Sequence, residues 1–324
     1  MAERLKHIQE VDTLKGWAIF LVVLGHAIIV YPIDLHANVY CDALFSFVSS
    51  FHVKLFFLVS GFCFSFRGNY GQYIKKKVFR LLIPYYVFCV LEMIAKLVFS
   101  GQINRPRGMG EFMTRMLFYG GDYWFLWTLF MIFLIFPAIH LLLRRGTAWE
   151  IGCLIGLLII AVCRPHIELL EIESVLRYLF WFACGAVLRN HWRFDPYSGK
   201  KAFYAAAAVL LVVLQIALAW NHPFSYTIRD LLCGAVGIAL SIALTRFTWF
   251  NNAFSRFGEY SLQLYLMNGL LLGVSRIVVC NILGVTIPAV IIAFNMLVDF
   301  FLSYLLIKYV FSRFRFMRVL MGMV

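Results

Sequence analysis

The sequence has little charge for a chain of its size. Only 14% of its 324 residues are Asp, Glu, Lys or Arg, whereas 63% are hydrophobic and 18% are aromatic. A soluble globular domain carries about 25% charged residues, so this chain has too few polar side chains to cover a water-exposed surface. The composition therefore excludes an ordinary soluble protein and favours a protein embedded in a lipid bilayer.

Two further features are missing: closely spaced cysteine pairs and a start typical of a signal peptide. The eight cysteines show no CxxC spacing and lie mostly within or beside apolar segments. They are typical of small buried residues, so we expect neither a disulfide framework nor a metal site. The first residues, MAERLKHIQEVDTLKG, are too polar and acidic for a cleaved signal peptide, and the first apolar segment is expected to stay.

The chain does have repeated apolar segments of about 18–25 residues, the length of a membrane-spanning helix. Alternating segments of about 10 residues, typical of a transmembrane barrel, are absent. We expect an all-α, polytopic transmembrane bundle of about ten spans, forming a single integral membrane domain over residues 1–324. An even number of spans depends on residues 100–121, where a re-entrant segment is the alternative. The expected spans are residues 16–33, 43–66, 79–99, 121–143, 148–164, 174–190, 202–220, 229–248, 259–278 and 287–309.

The positive charge is spread between the apolar segments. The formal net charge is +13, and most of the 29 Lys and Arg residues fall in segments that are cytoplasmic if the N-terminus is inside. The positive-inside rule explains this distribution. We therefore expect both termini in the cytoplasm, contact with membrane lipid and no nucleic-acid partner.

The first apolar segment, DTLKGWAIFLVVLGHAIIVY, contains Lys15 and His26. Eleven residues at about 100° each bring the two side chains within about 20° of one helix face, about 16 Å apart along the axis. Ionisable side chains in a span usually face a cavity or a partner. We expect Lys15 at the cytoplasmic mouth and His26 near the midplane. The alternative is a snorkelling lysine and a histidine hydrogen-bonded to a neighbouring helix.

The second apolar segment, FHVKLFFLVSGF, places His52 and Lys54 among phenylalanines. Two titratable side chains in such a segment are not expected to face lipid. A role in the site and a structural ion pair of Lys54 with Glu92 or Asp122 remain alternatives. The small Ser-Gly pair at residues 60–61 favours close approach of a neighbouring helix.

A cation cluster in YIKKKVFRLLIPYY lies at the predicted cytoplasmic start of the third span. It consists of Lys75, Lys76, Lys77 and Arg80. Topology and contact with anionic lipid headgroups account for such a cluster. The alternative is a binding site for a phosphorylated cytosolic molecule, because the guanidinium fork of Arg suits phosphate. Lys77 and Arg80 are three residues apart and share a helix face.

Six segments in this order carry a family resemblance: DTLKGWAIFLVVLGH, FHVKLFFLVSGF, KKVFRLLIPYY, YWFLWTLF, YLFWFACGAVL and FGEYSLQLYLMN. Together they resemble the acyltransferase 3 family of integral membrane acyltransferases, which transfer acetyl or other short acyl groups to sugars, glycans and related molecules. The family's R/K-x10-H signature falls on Lys15 and His26, and its R-x-x-R signature on Lys77 and Arg80. Lys in each first position replaces a bidentate fork with a point charge.

The resemblance implies a cytosolic acyl-CoA donor, most often acetyl-CoA, and no bound cofactor. Lys15 would help to hold the anionic nucleotide, together with Lys76, Lys77 and Arg80. A pantetheine arm would then carry the thioester toward His26. A histidine that titrates near neutrality suits the role of general base on an attacking hydroxyl, and an acyl-imidazole intermediate is the competing scheme.

The expected acceptor is a hydroxyl of a sugar, a cell-surface polysaccharide or a lipid-linked glycan precursor, and the expected location is a bacterial inner membrane. The candidate acceptor-site or supporting residues are His52, Lys54, Trp124, Tyr265 and Asn268. The ring of Trp124 is a candidate sugar platform, with packing or an interfacial aromatic belt as the alternative. Lys54 stands where relatives often carry Pro or a neutral residue, and Asn268 where many carry His. These two departures concern acceptor choice; no residue pattern specifies an oligomeric state.

Two other classes compete with the enzyme. A polytopic exporter with an intramembrane His/Lys/Asp relay would also place ionisable residues in its spans. Transporters often show inverted repeats and spans broken by Gly or Pro at matching positions, and no such pair stands out here. A non-catalytic relative serving as a scaffold is disfavoured because both signature positions are occupied.

Overall fold

The computed structural model describes residues 9–99, 108–191, 201–219 and 228–323. Within these ranges the chain forms α-helices joined by short turns and 3₁₀ segments, without a β-strand. The α-helices are α1 (Gln9–Ala27), α2 (Val39–Ser49), α3 (His52–Phe62), α4 (Tyr70–Lys77), α5 (Ile83–Val98), α6 (Met109–Phe118), α7 (Trp124–Leu143), α8 (Thr147–Cys163), α9 (Ile172–His191), α10 (Lys201–Ala219), α11 (Ile228–Leu244), α12 (Thr248–Gly258), α13 (Ser261–Arg276), α14 (Pro288–Met296), α15 (Ser303–Tyr309) and α16 (Arg315–Leu320).

Three short π-helical stretches extend these helices. Val78–Leu82 joins α4 to α5, Ile277–Ile282 continues α13, and Leu297–Leu302 joins α14 to α15. A π-helical turn inserts an extra residue and is frequent at functional sites. The first stretch contains Arg80, and the second begins directly after Arg276, so two cationic side chains lie at these irregular turns.

Six helical runs in the described part of the chain are long and apolar enough to cross a membrane, and a seventh is added if α11 and α12, bent by 109°, form one span. Each of the ten expected segments overlaps a described helix. However, α1 carries Glu10, Asp12 and Lys15 in its first half, and α8 is a shorter apolar helix of 17 residues. The six runs are residues 39–62, 70–98, 109–143, 202–219, 261–282 and 288–313.

Helix α1 begins and ends earlier than its expected span. The sequence predicts a span over residues 16–33, but α1 covers Gln9–Ala27 and the chain then turns irregularly toward Leu35. Pro32 explains the early end because it lacks a backbone N–H and disfavours helix in the preceding residue. His26 therefore lies in the last turn of α1. The expected re-entrant alternative concerns α6, while residues 100–107 lie outside the described ranges.

Glycines bring the central helices into backbone contact. A β-carbon at Gly61 of α3 would collide with the carbonyl oxygen of Phe182 on α9, and one at Gly185 of α9 would collide with that of Leu58 on α3. Gly16 of α1 meets α12 in the same way. Close approach at small residues supplies packing energy that the hydrophobic effect does not supply between helices in lipid. These contacts hold α1, α3, α9 and α12 around one core.

We predict that Gly61→Ala and Gly185→Ala each lower stability by about 1–3 kcal/mol, because the added methyl forces backbone to move. Thermal unfolding of the detergent-solubilised protein measures the effect. Gly156→Ala in α8 is the matched control, since no atom lies within 4 Å of the added carbon. Equal melting temperatures for all three variants would contradict the close approach of α3 and α9.

Candidate active site

A mainly apolar cavity beside α1 contains the first predicted histidine. This His26 cavity has a volume of about 620 Å³ and lies between α1, α2, α3, α5, α7 and α13. Four other predicted site residues also line it, so the tertiary structure brings together side chains that are up to 242 positions apart (26 to 268). They are His52, Trp124, Tyr265 and Asn268.

A second, smaller cavity contains the predicted cations. This Lys15 cavity has a volume of about 200 Å³ and is lined by Lys15, Lys77 and Arg80. Lys76 is exposed and does not line it. One residue advances a helix by about 100°, so Lys76 points away from the face shared by Lys77 and Arg80. The structure thus brings three of the four predicted cations together.

Three aromatic rings separate the two cavities. Phe56, Phe125 and Tyr265 line both of them. The ring of Phe125 lies 5.5 Å from that of Phe56 and 5.3 Å from that of Tyr265, centre to centre. We call this set the aromatic constriction. The cavities therefore adjoin across a wall one side chain thick, with cations on one side and imidazoles on the other.

Both imidazoles of the His26 cavity are available for proton transfer. The side chain of His26 is exposed to the cavity, and among the described residues its ring makes no hydrogen bond. His52 Nδ1 lies 2.8 Å from the carbonyl oxygen of Val48. Because a carbonyl oxygen only accepts, Nδ1 carries the proton and neutral His52 keeps Nε2 as an acceptor.

Two of the three cations of the Lys15 cavity are held by a neighbour. Lys15 Nζ lies 3.2 Å from Asp12 Oδ1, one turn earlier on α1. Lys77 Nζ lies 3.6 Å from the centre of the Phe133 ring, a cation–π contact. Arg80 lies in the π-helical turn and is exposed. The cavity therefore presents fixed positive charge to any anion that enters.

Gln263 adds an acceptor to the same cavity. Its side chain is 5% exposed, and its Nε2 donates to the carbonyl oxygen of Met321 at 2.9 Å. Its Oε1 has no hydrogen-bond partner among the described residues. A buried amide oxygen without a partner is destabilising, so this oxygen is suited to an N–H group of a bound molecule.

Lys54 lies outside both cavities. Its side chain is 6% exposed, and Nζ lies 2.8 Å from Asp230 Oδ1 of α11. Arg177 of α9 lies 3.6 Å from the other oxygen of Asp230. The alternative prediction that Lys54 pairs with Glu92 or Asp122 is wrong, because both of these side chains pair with Lys96. Lys54 joins α3 to α9 and α11 instead of facing the His26 cavity.

Tyr265 and Trp124 belong to one group of packed aromatic rings, because the ring of Phe125 contacts both of them. The ring of Tyr265 also lies 5.9 Å from that of Tyr123. The ring of Trp124 lies 5.8 Å from that of Tyr178, tilted by 30°. Trp124 therefore packs on one face and lines the His26 cavity with the remainder, which accommodates both of the roles expected from the sequence.

Four charged residues line the His26 cavity: Glu92, Lys96, Asp122 and Arg276. From the sequence, Glu92 and Asp122 are candidates only as partners of Lys54, and Lys96 and Arg276 have no expected role. Glu92 and Lys96 are four residues apart within VFCVLEMIAKLVF. That spacing places both on one helix face. Opposite charges at this spacing inside an apolar run are therefore the sequence signal that identifies this part of the cavity.

Comparison with known proteins identifies the class of this chain. A family model described as an acyltransferase domain, that of the acyltransferase 3 family, matches residues 8–315. Because the match covers nearly the whole sequence, the chain belongs to this family of membrane-embedded acyltransferases. The expected family and helical membrane fold are thereby confirmed.

Comparison with individual curated proteins gives two relatives that carry the same name. Nodulation protein NolL of Sinorhizobium fredii (strain NBRC 101917 / NGR234) is 31% identical over 183 residues, which are 53% of this chain and 46% of the relative. Nodulation protein NolL of Mesorhizobium japonicum is 27% identical over 178 residues, 53% of this chain and 45% of the relative. The matched regions thus span about half the length of these relatives. No solved structure matches the chain.

We predict that Lys54→Met lowers stability by about 3–5 kcal/mol, because it leaves Asp230 buried with a weakened partner set. Thermal unfolding in detergent measures the loss. The double variant Lys54→Met with Asp230→Asn removes both charges and is expected to recover most of it. A Lys54→Met protein that melts normally yet loses activity would place Lys54 in the acceptor site after all.

Proposed function

We propose that this protein is a membrane O-acyltransferase that moves an acetyl or other short acyl group from cytosolic acyl-CoA to a hydroxyl of a sugar, a cell-surface polysaccharide or a lipid-linked glycan precursor. Membership of the acyltransferase family supports the reaction class. The single observation that carries the assignment is the pair of adjoining cavities, cationic on one side of the aromatic constriction and imidazole-lined on the other.

The Lys15 cavity suits the donor. The phosphates of CoA would bind Lys77 and Arg80, with Lys15 completing the positive rim, because Arg and Lys favour phosphate oxygens. The pantetheine arm contains two amides. Gln263 Oε1, which has no partner among the described residues, would accept a hydrogen bond from one of their N–H groups. The thioester would then pass the aromatic constriction.

His26 would act as the general base. The acceptor hydroxyl gives its proton to the imidazole while its oxygen attacks the thioester carbonyl carbon. The C–S bond then breaks, the acyl group stays on the acceptor oxygen, and the imidazolium returns the proton to the CoA thiolate. A base of this kind is typically worth 10²–10⁴-fold in rate.

The proposed reaction sets an orientation. Acyl-CoA is cytosolic, so the Lys15 cavity would face the cytoplasm and the His26 cavity would open toward the other side. Both termini would then be cytoplasmic in a bundle of about ten spans, within a bacterial inner membrane. The acceptor would reach His26 from within or beyond the bilayer, which fits decoration of a surface glycan.

We expect His26→Ala to lower acetyl transfer at least about 100-fold, because the attacking hydroxyl loses its base. The assay is mass spectrometry of surface glycans from cells expressing the variant at wild-type level. His166→Ala is the control, since that imidazole is exposed on the α8–α9 connection. Acetylated glycan in the His26→Ala cells would show that His26 is not the base.

Radiolabelling of the purified protein distinguishes the two competing schemes for His26. With [¹⁴C]acetyl-CoA and no acceptor, a general base leaves no hydroxylamine-sensitive label on the purified protein, whereas an acyl-imidazole intermediate labels it.

A transporter would move substrate in response to a proton gradient, and this movement would not depend on acetyl-CoA. That result would replace the proposed enzyme with the alternative class.

Arg80→Ala is predicted to raise the KM for acetyl-CoA about tenfold, which corresponds to the loss of one charge-assisted hydrogen bond. The KM for the acceptor should stay unchanged. Steady-state kinetics of the purified protein measures both. Arg145→Ala is the control because that guanidinium lies over the Trp149 ring, away from the Lys15 cavity. An unaltered donor KM would contradict the phosphate clamp.

A further inference from the structure

A cross-linked charge cluster on one wall of the His26 cavity takes no part in the steps described so far. Lys96 Nζ lies 2.7 Å from Glu92 Oε1 on the same helix and 2.6 Å from Asp122 Oδ2 in the 3₁₀ turn Gly121–Tyr123 that precedes α7. The side chains of Glu92 and Asp122 are 12% and 25% exposed. One ammonium thus holds two carboxyl groups in place.

Helix α13 faces this cluster and places a glycine and a buried hydrogen-bond acceptor beside it. A β-carbon at Gly269 of α13 would lie 3.5 Å from Glu92 Oε2, so the helix runs directly past the carboxylate. The adjacent Asn268 is 4% exposed and lines the same cavity. Its Oδ1 has no hydrogen-bond partner among the described residues. A buried acceptor without a partner is suited to a donor on a bound ligand.

We propose that Glu92, Asp122 and Asn268 form the acceptor subsite, which binds hydroxyl groups of an uncharged sugar ring and presents one of them to His26. This inference rests on the proposed function, because it concerns the second substrate of that reaction. Lys96 is a positioning residue that keeps the two carboxylates apart and oriented.

The chemistry of the cluster specifies the class of ligand. Carboxylate and amide oxygens accept hydrogen bonds, and the hydroxyls of a sugar donate them. A hydrogen bond to an ionised acceptor is stronger than one to a neutral acceptor. An acidic sugar would instead bring a third carboxylate against Glu92 and Asp122, which like-charge repulsion disfavours.

The geometry also favours a ring over a linear polyol. Trp124 lies in the chain two residues after Asp122 and lines the same cavity. An aromatic face covers the apolar face of a sugar ring while the carboxylates take the hydroxyls at its edge. Arg276 lies on the same helix as Asn268, about 12 Å further along its axis by the rise per residue, so its charge is well separated from this subsite.

The test uses the full-length protein in detergent with three probes: methyl β-D-glucoside, methyl β-D-galactoside and methyl β-D-glucuronide. [¹⁴C]Acetyl-CoA is the donor, and thiol release and acetylated product are both measured. Wild-type protein should acetylate at least one neutral glycoside, with a kcat/KM at least about tenfold higher than for the glucuronide. Acetyl-CoA hydrolysis without acceptor reports the donor half of the reaction alone.

The variants Glu92→Gln and Asp122→Asn should each raise the KM for the neutral glycoside about 10- to 100-fold, the range of a lost hydrogen bond to a charged group. Asn268→Ala should raise it about 2- to 10-fold, the range of a lost hydrogen bond to a neutral amide. The KM for acetyl-CoA and the acceptor-free hydrolysis should stay within about twofold. Glu168→Gln removes an exposed carboxylate outside this cavity and is the matched control. Melting temperatures identify any variant that has lost its fold, and Glu92→Asp then serves in place of Glu92→Gln.

The outcomes separate this inference from the proposed function. A protein that hydrolyses acetyl-CoA but acetylates none of the neutral glycosides, or prefers the glucuronide, would overturn the subsite and leave the donor assignment intact. The subsite would also be overturned, with the donor assignment intact, if neither Glu92→Gln nor Asp122→Asn changed the KM for the neutral glycoside. A protein that neither binds nor hydrolyses acetyl-CoA would overturn the proposed function itself.

Discussion

Desolvation of charge is the constraint that arranges this molecule. An ionisable side chain in an apolar bundle needs a partner of opposite charge, an aromatic face or a water-accessible cavity. Lys54 meets this need through Asp230, Lys96 through Glu92 and Asp122, and Lys77 through the face of the Phe133 ring. The first pair is sealed in the core and joins three helices. The other groups line cavities, and so the same physical need creates both the scaffold and the site.

The two cavities divide the proposed reaction into halves with different electrostatics. Three cations line the Lys15 cavity, where an anionic nucleotide would bind, whereas the His26 cavity combines imidazoles with the cluster of Glu92, Lys96 and Asp122. In the proposed reaction, the thin pantetheine arm would pass between the rings of the aromatic constriction. A separation of this kind lets one small bundle present an anion site and a hydroxyl site within the length of a single helix. In the proposed reaction it would also limit water near the thioester, which would favour transfer over hydrolysis.

Close packing at glycine brings together the helices that surround the two cavities. Gly61 and Gly185 bring α3 and α9 together until backbone touches backbone, and Gly16 does the same for α1 and α12. Since lipid and side chains are equally apolar, such contacts have to supply the helix association that water would drive in a soluble protein. Some polar side chains that line the cavities can then remain without a hydrogen-bond partner. Gln263 and Asn268 each retain a buried oxygen without a partner among the described residues.

The sequence alone determined the helical membrane class, the family and the single face shared by Lys15 and His26, because these follow from composition, motif order and the 3.6-residue period of a helix. It also predicted that Lys77 and Arg80 act together. Only the tertiary structure decided that Lys54 pairs with Asp230 rather than Glu92, that Lys76 lies outside the cavity, and that Glu92, Asp122 and Asn268 line one cavity. These residues lie on α3 and α11, on α5, on the turn before α7 and on α13. The register between two helices depends on side-chain packing between segments far apart in the chain. The hydrophobic period within one segment does not indicate which residues of another helix it contacts.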